Sequence, residues 1–160
     1  FIFEELGYNF EPSEIGSAFG LVQLKKLKKN LFIRSNIFKK HTNFLSKFEN
    51  FFTKPLEEDN VKTGWLAYPI TIKPNRFFNR TELQIYLEKK NIQTRVVFTG
   101  NILRQPGFKK IKCIKNKNYR NADNIMKNSF LIGCHHGMTS KQLDYIYLNI
   151  TNFLKTKKIF

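Results

Sequence analysis

The stretch TRVVFTGNILRQP, residues 94–106, combines strand, turn and charge in a way that no other part of the sequence does. Its first six residues are mostly β-branched or aromatic and predict a short strand, and Gly100 with Asn101 predicts a turn directly after it. Arg95 and Arg104 flank that turn, and a guanidinium offers several N–H donors in a rigid fork that suits phosphate. The stretch therefore predicts a site for an anionic ligand, with a surface hairpin carrying solvated arginines as the alternative.

Two further strands are predicted before and after this stretch. Residues 65–72 alternate between larger apolar side chains and smaller ones, and residues 130–133 form a short apolar run. Pro69 has no backbone N–H to donate, so it favours an edge position for the first of these strands.

Capping residues and apolar periodicity predict five helical segments. The clearest is the last, where Thr139 and Gln142 form a capping box ahead of an i, i+3, i+4, i+7 apolar pattern. Asn79 and Glu82 give a similar signal for an earlier helix. The other three are expected after Ser13, within residues 33–48 and at residues 122–127.

The order of these elements predicts a mixed α/β fold of the α+β type. A helical arm comes first, and strand, helix, strand, short helix, strand and helix follow, so helices are expected to cover a small sheet. We expect residues 1–50 to form the linking arm and residues 51–160 to form the small α/β domain.

The charge of the chain narrows the classes of partner. Its 160 residues include 28 Lys+Arg and 12 Asp+Glu, which gives a formal net charge of +16. Such a charge is typical of nucleic-acid or membrane-surface binding. The lysines are spread along the whole chain, however, and no zinc knuckle or RNA-binding motif accompanies them, so solvated surface lysines are the simpler interpretation. No apolar run approaches the roughly 18 residues of a membrane helix, and no membrane partner is expected.

Few residues form a recognisable catalytic or metal-binding pattern. Cys113 and Cys134 stand far apart, outside any zinc or disulfide spacing, so no metal is expected. His135 follows a predicted buried strand, where loops often carry function, and it is a candidate for the rim of a site. Asn9, ahead of the first helix, offers an amide to a ligand or forms a turn.

Two segments together resemble the DegT/DnrJ/StrS sugar aminotransferase family. The first is GYNFEPSEIGSAFGLVQL, residues 7–24, which is similar to the family's Gly-Tyr-Asn and Ala-x-Gly-x-x-Gln-Leu signature. The second is residues 94–106, which resembles the branch containing CDP-4-dehydro-6-deoxyglucose 3-dehydrase and lipopolysaccharide-type relatives. Residues 132–139 and the last helix are also similar to the end of such proteins.

The resemblance implies the fold of type I pyridoxal-phosphate enzymes, with this chain as the C-terminal part: a long linking helix from the large domain, then the small domain. It also implies roles for residues. Asn9 would reach the cofactor phosphate of the partner subunit in a homodimer whose active site lies at the interface. Arg95, Asn101, Arg104 and His135 would line the sugar-nucleotide side. The catalytic lysine or histidine would lie upstream, so the chain alone is expected to be inactive.

The activity implied is removal of the 3-hydroxyl from a nucleotide-linked 4-keto-6-deoxy sugar, with pyridoxal 5'-phosphate or pyridoxamine 5'-phosphate as cofactor. A sugar-nucleotide aminotransferase is the alternative within the family. A basic, noncatalytic nucleic-acid-binding domain is the alternative from another class. The leading interpretation places the protein in the cytoplasm, in deoxysugar or polysaccharide biosynthesis, and allows for a reductase partner.

Overall fold

The structure is a computed structural model, and it describes residues 10, 12–108, 110–114 and 118–159. One long helix, α1 (Glu14–Ser46), begins the described fold. The sequence predicted two separate helices here. The helix is continuous because residues 21–46 contain neither glycine nor proline to interrupt it.

The two halves of α1 have different surroundings. Residues 14–29 are exposed, although several of them are large and apolar. The second half packs against the sheet and buries Ile37, Phe38, His41 and Leu45. This part of α1 belongs to the same core as the residues that follow it, and the division into an arm at 1–50 and a domain at 51–160 stays a prediction.

Four short antiparallel strands form the sheet, in the order β1-β2-β4-β3. Their bounds are Phe52–Thr53 for β1, Ala67–Ile72 for β2, Arg95–Val96 for β3 and Ser129–Gly133 for β4. Strand β1 was not predicted. Strand β3 is shorter than the strand predicted at residues 94–99, because the backbone turns at Phe98 and Gly100, both with positive φ.

Pro69 was predicted to favour an edge strand, and this prediction was wrong for β2 as a whole. Strand β2 lies inside the sheet, between β1 and β4. Strand β1 pairs only with Thr71 and Ile72, however, so it does not extend alongside Pro69. The proline is accommodated because β2 has a neighbouring strand on one side only at that position, where Pro69 lies opposite Leu131 of β4.

The remaining helices are α2 (Arg80–Lys89), α3 (Arg120–Asn128) and α4 (Ser140–Thr156). Both predicted caps are confirmed. The side chain of Asn79 accepts a hydrogen bond from the backbone N–H of Glu82, and Thr139 and Gln142 form the reciprocal capping box of α4. No helix in the described part of the chain is long and apolar enough to cross a membrane.

The core lies between one face of the sheet and the helices. The predicted alternation in β2 is confirmed for Tyr68, Ile70 and Ile72, which are buried together with Phe130 and Ile132 of β4. Leu83 and Leu87 of α2 and an apolar stripe of α4 complete this cluster. The predicted fold class is therefore confirmed: a small sheet covered by helices.

A buried histidine links three elements of the core. His41 of α1 lies 2.9 Å, through Nε2, from the carbonyl oxygen of Gly133 at the end of β4. A carbonyl only accepts, so Nε2 carries the proton, and Nδ1 accepts from the hydroxyl of Tyr147 on α4 at 3.2 Å. Burial lowers the pKa of His41 to about 4. The hydrogen bond to Gly133 raises this pKa, but its effect is smaller than that of burial.

We predict that folding stability falls in mild acid because of His41. Its folded pKa is lowered, so the neutral form stabilises the fold fully above pH ~6.5, and this contribution is lost as the pH falls toward 4. The loss at pH 4 is about 3 kcal/mol of unfolding free energy, measured by denaturant titration between pH 7 and pH 4.

The control is His41→Gln, whose amide can donate to Gly133 but does not titrate. Its unfolding free energy should start lower and depend less on pH. Equal pH dependence in both proteins would show that His41 is not responsible.

Candidate functional site

The α4 cavity, as we name it, has a volume of about 490 Å³ and is lined by the loop before β3, by β3 and β4, and by α4. Ile92, Leu131 and Ile146 contribute apolar walls. The polar side chains of its lining belong to Asn91, Gln93, Arg95, His135, Lys141, Gln142 and Tyr145. The described lining includes two cations and no carboxylate, so the cavity suits an anionic ligand.

Arg95 lies in β3, opposite Leu131 of β4. Its side chain borders the α4 cavity and also a shallower cavity beside α2. Glu88 of α2 lies nearby, and the pKa of its carboxyl is lowered. Hydrogen bonds from Thr94 are the main cause, and the positive charge of Arg95 contributes a smaller part. Among the described residues no carboxylate lies within 4.0 Å of the Arg95 guanidinium, which leaves its donors available to a ligand.

His135 follows β4 in a turn that closes with a hydrogen bond from the Met138 N–H to the His135 carbonyl. Its Nδ1 accepts from the backbone N–H of Gly137 at 3.2 Å. In the neutral ring the proton is therefore on Nε2, and His135 can donate from that atom into the α4 cavity that it lines.

Asn101 and Arg104 are held by a residue that the sequence did not single out, Asp123 of α3. Asp123 accepts from Asn101 Nδ2 at 2.7 Å and, as a bidentate partner, from Arg104 Nε and Nη2 at 2.9 and 2.7 Å. These hydrogen bonds, led by those from Arg104, lower the pKa of Asp123 to about 2. Nη1 of Arg104 takes no part in these bonds, and the side chain keeps 59% of its exposure.

The four described residues of the predicted site form two groups. Arg95 and His135 line the α4 cavity, whereas Asn101 and Arg104 lie in the turn bound to α3. The chain leaves β3 toward the Ser129 end of β4, and His135 follows the opposite end. A strand of this length spans about 13 Å, so the turn and His135 lie at opposite ends of β4, with Arg95 opposite its middle residue, Leu131. Asn9, the predicted cofactor contact, lies outside the described residues.

Sequence reasoning missed the contribution of α4 to the site. Lys141 and Tyr145 are one helical turn apart and both line the α4 cavity. The available signal was their i, i+4 spacing just after the capping box, close in sequence to His135. Asp123 had no comparable signal, because its partners lie 19 and 22 residues away in the chain.

Gly100 sets the shape of the turn between the two groups. Its φ is +63°, and a Cβ placed there would overlap Cα and Cβ of Met126 on α3. The absence of a side chain therefore permits both the left-handed backbone and the close packing against α3.

Comparison with known proteins identifies related sequences and structures. The model of the "DegT/DnrJ/EryC1/StrS aminotransferase family" matches residues 1–151. "Lipopolysaccharide biosynthesis protein RfbH" of Salmonella typhimurium is 31% identical over 153 residues, which cover 96% of this chain and 35% of that protein. A "UDP-4-amino-4,6-dideoxy-N-acetyl-beta-L-altrosamine transaminase" of Campylobacter jejuni is also 31% identical, over 96% of this chain and 40% of the relative.

A similar solved structure is that of E. coli GDP-4-keto-6-deoxy-D-mannose-3-dehydratase with bound hydrated PLP. It superposes with a TM-score of 0.76 at 28% sequence identity, over 93% of this chain and 38% of the dehydratase. The chain thus spans about 33–40% of the length of the curated relatives that it matches.

We predict that Gly100→Ala destabilises the protein by about 1–3 kcal/mol, because it adds both backbone strain and an overlap with Met126. Gly107→Ala is a matched control, since no described atom lies within 4 Å of a Cβ placed at Gly107 and its φ is not positive. The measurement is the unfolding free energy of each variant. Equal, small effects would show that the turn does not require glycine at position 100.

Proposed function

The chain belongs to the DegT/DnrJ/EryC1/StrS aminotransferase family, and from that premise we propose that it is part of a 3-dehydrase of sugar nucleotides. The family predicted from residues 7–24 and 94–106 is confirmed. Because the chain spans 35% of the Salmonella relative, the activity of the whole protein is a proposal. The reaction proposed is removal of the 3-hydroxyl from a nucleotide-linked 4-keto-6-deoxy sugar, in deoxysugar or polysaccharide biosynthesis.

The observation that carries this proposal is the charge of the α4 cavity. Arg95 and Lys141 line a cavity whose described lining includes no carboxylate. A sugar nucleotide carries a diphosphate, and charge-assisted hydrogen bonds from such cations are among the stronger ones available to a protein. A similar protein was solved with GDP-perosamine bound, which supports the same class of ligand here.

An aminotransferase remains the second candidate. The Campylobacter relative is named a transaminase and is as similar in sequence as the Salmonella protein. Three other relatives are named 3-dehydratases, at 28–29% identity. We expect the residue at the cofactor-linking position, which lies upstream of this chain, to separate the two: histidine for dehydration and lysine for amino transfer.

Pyridoxal phosphate is bound in two of the similar solved structures, and we propose it or pyridoxamine phosphate as the cofactor here. When bound, this cofactor supplies an electron sink for carbanion chemistry. The described residues do not form a complete site for it, since the lining of the α4 cavity lacks an acidic partner for the ring nitrogen. The role of Asn9 toward the cofactor phosphate stays a prediction.

The described residues can bind and orient the substrate. Arg95 and Lys141 attract its anionic part, and His135 can donate from Nε2 to a sugar oxygen. The apolar walls formed by Ile92, Leu131 and Ile146 exclude water and strengthen these interactions. Each of these roles is a proposal for the site.

Arg104 and Asn101 are proposed to act at the other end of β4. Asp123 keeps the turn in place through Nε and Nη2 of Arg104, and among the described residues Nη1 has no such bond, so it can donate to phosphate. Asn101 uses Nδ2 on Asp123 and Oδ1 on the N–H of Leu103, so its contribution to ligand binding is to shape the turn.

The test of the proposed function is an assay of the full-length protein with nucleotide-linked 4-keto-6-deoxy sugars and pyridoxamine phosphate. We expect loss of the 3-hydroxyl, detected by mass spectrometry of the product. Incorporation of an amino group would support the aminotransferase, and no reaction with any such sugar would contradict both. The isolated 160 residues serve as a control that should show no turnover.

In the same assay, Arg95→Ala should weaken sugar-nucleotide binding by about 1.5–3 kcal/mol, or roughly 10- to 150-fold in KM, because a charge-assisted contact is lost. Arg76→Ala is the charge-matched control, since Arg76 stacks on Phe77 and lines neither of the cavities beside Arg95. If the two variants behave alike, Arg95 does not bind the substrate.

A homodimer is proposed through the exposed half of α1. Ile15, Phe19 and Val22 lie on one helical face and are 71%, 68% and 45% exposed. An exposed apolar face of this kind is typical of an interface.

We predict that Phe19→Asp in the full-length protein lowers the mass measured by light scattering from dimer to monomer, because it places a charge in the apolar contact. Ser17→Asp, on the opposite face of the same helix, should leave the dimer intact. A monomeric wild type would contradict the proposal.

A cytoplasmic location and a reductase partner stay predictions, and no relative named above supports the nucleic-acid alternative.

A further inference from the structure

The turn that carries His135 is closed by its own hydrogen bonds. The Gly137 N–H donates to Nδ1 of His135, and the Met138 N–H donates to the His135 carbonyl. These bonds set the tautomer of the ring and the shape of the turn. They do not set where the turn lies relative to the α4 cavity, because both partners belong to the turn itself. The position of His135 depends instead on the residues that lead into it, Gly133 and Cys134.

The end of β4 has less strand pairing than its middle. In the described sheet, β3 pairs with Phe130 and Leu131 and stops two residues short of Gly133, so Gly133 is paired on the β2 side alone, with Ala67. The imidazole of His135 lies beside this strand end, since a Cβ placed at Gly133 would be 3.8 Å from Cδ2 of His135. A displacement of Gly133 would therefore displace the ring.

Helix α1 holds both residues that lead into His135. His41 donates from Nε2 to the carbonyl of Gly133 at 2.9 Å, and the thiol of Cys134 donates to the carbonyl of Arg34 at 3.6 Å. His41 and Cys134 are buried, and a hydrogen bond is stronger in such surroundings than in water. A thiol is a weak donor, so the bond from His41 is the stronger of the two.

The direction of the His41 donor is fixed by two other elements. Nδ1 of His41 accepts from the hydroxyl of Tyr147 on α4 at 3.2 Å, and the two rings meet edge to face with their centroids 5.6 Å apart. The ring of Tyr68 on β2 lies on another side, with its centroid 5.1 Å from that of His41. These contacts hold the ring in the orientation that directs Nε2–H toward Gly133.

We propose that His41 is a positioning residue for the sugar-binding role of His135. By holding the carbonyl of Gly133, it places the end of β4, and with it Nε2 of His135, where a sugar oxygen can accept a hydrogen bond. The positioning role rests on the proposed function, because it deepens the role given there to His135. It also gives α1 a part in the site, although no described residue of α1 lines the α4 cavity.

The experiment uses the full-length protein and two probes. One is the nucleotide-linked 4-keto-6-deoxy sugar that is turned over in the assay above, beginning with GDP-4-keto-6-deoxy-D-mannose, for which KM and kcat are measured. The other is the matching nucleoside diphosphate, whose Kd is measured by calorimetry. His41→Leu removes the donor and should raise KM about 2- to 10-fold, the effect of one hydrogen bond, with kcat little changed. The Kd of the nucleoside diphosphate should not change, because it carries no sugar.

Three further variants separate positioning from stability. His41→Gln keeps an amide donor that can reach Gly133 and should restore the KM of wild type. His41→Asn keeps the polarity of the site, but its amide is too short to replace Nε2, so it should raise KM as His41→Leu does. Tyr147→Phe removes the other hydrogen bond of His41 and should lower the unfolding free energy, yet keep the KM of wild type. Denaturant titration of each variant shows that it is folded in the assay.

A double-mutant cycle tests whether His41 acts through His135. His135→Ala should raise KM by a similar factor to His41→Leu. The double variant should then raise KM no further, because the donor that His41 positions is already absent. If the two factors multiply instead, the residues act independently and the positioning role is wrong.

The remaining outcomes separate this role from the proposed function. An equal rise of KM in His41→Gln or Tyr147→Phe, or an equally weakened nucleoside diphosphate, would show general distortion and overturn the positioning role. If His135→Ala raises KM and His41→Leu does not, only the positioning role fails. If His135→Ala leaves KM unchanged, the sugar contact of His135 fails with it. If no 4-keto-6-deoxy sugar nucleotide is turned over, the proposed function fails as well.

Discussion

The pairing of β4 with both β2 and β3 is the constraint on which the rest of the structure depends. Five residues of β4 pair with β2 on one side, and two of them pair with β3 on the other. His41 then donates to the carbonyl of Gly133, at the end of the strand, and thereby ties α1 and α4 to the same place. Because β4 is short and bound on both sides, the positions of His135 at one end and of the turn after β3 at the other are set together.

This arrangement explains why the residues of the candidate site form two groups. Arg95 and His135 meet at the α4 cavity, where Lys141 adds a second cation. Asn101 and Arg104 instead bind Asp123, so most of their hydrogen-bonding capacity stabilises the turn.

Elements with a strong local signal were predicted from sequence. The caps at Asn79 and Thr139 involve residues only three positions apart, so the interaction that starts each helix is already present in the local sequence. The alternation in β2 was equally local. The interior position of Pro69 was not predictable, because it depends on how far β1, a strand from another part of the chain, extends along β2. The length of β3 depended similarly on a turn that packs against α3.

The sequence by itself determined the family, the mixed α/β class and the residue types of an anion site, because these rest on local patterns and on two motifs. Only the tertiary structure decided which of those residues share a cavity. Arg95 and His135 are 40 positions apart in the chain, and strand pairing places both at the α4 cavity. Arg104 instead binds Asp123. The physical reason is that hydrogen bonds between distant segments, such as those of β4 and Asp123, have no signature in the local sequence.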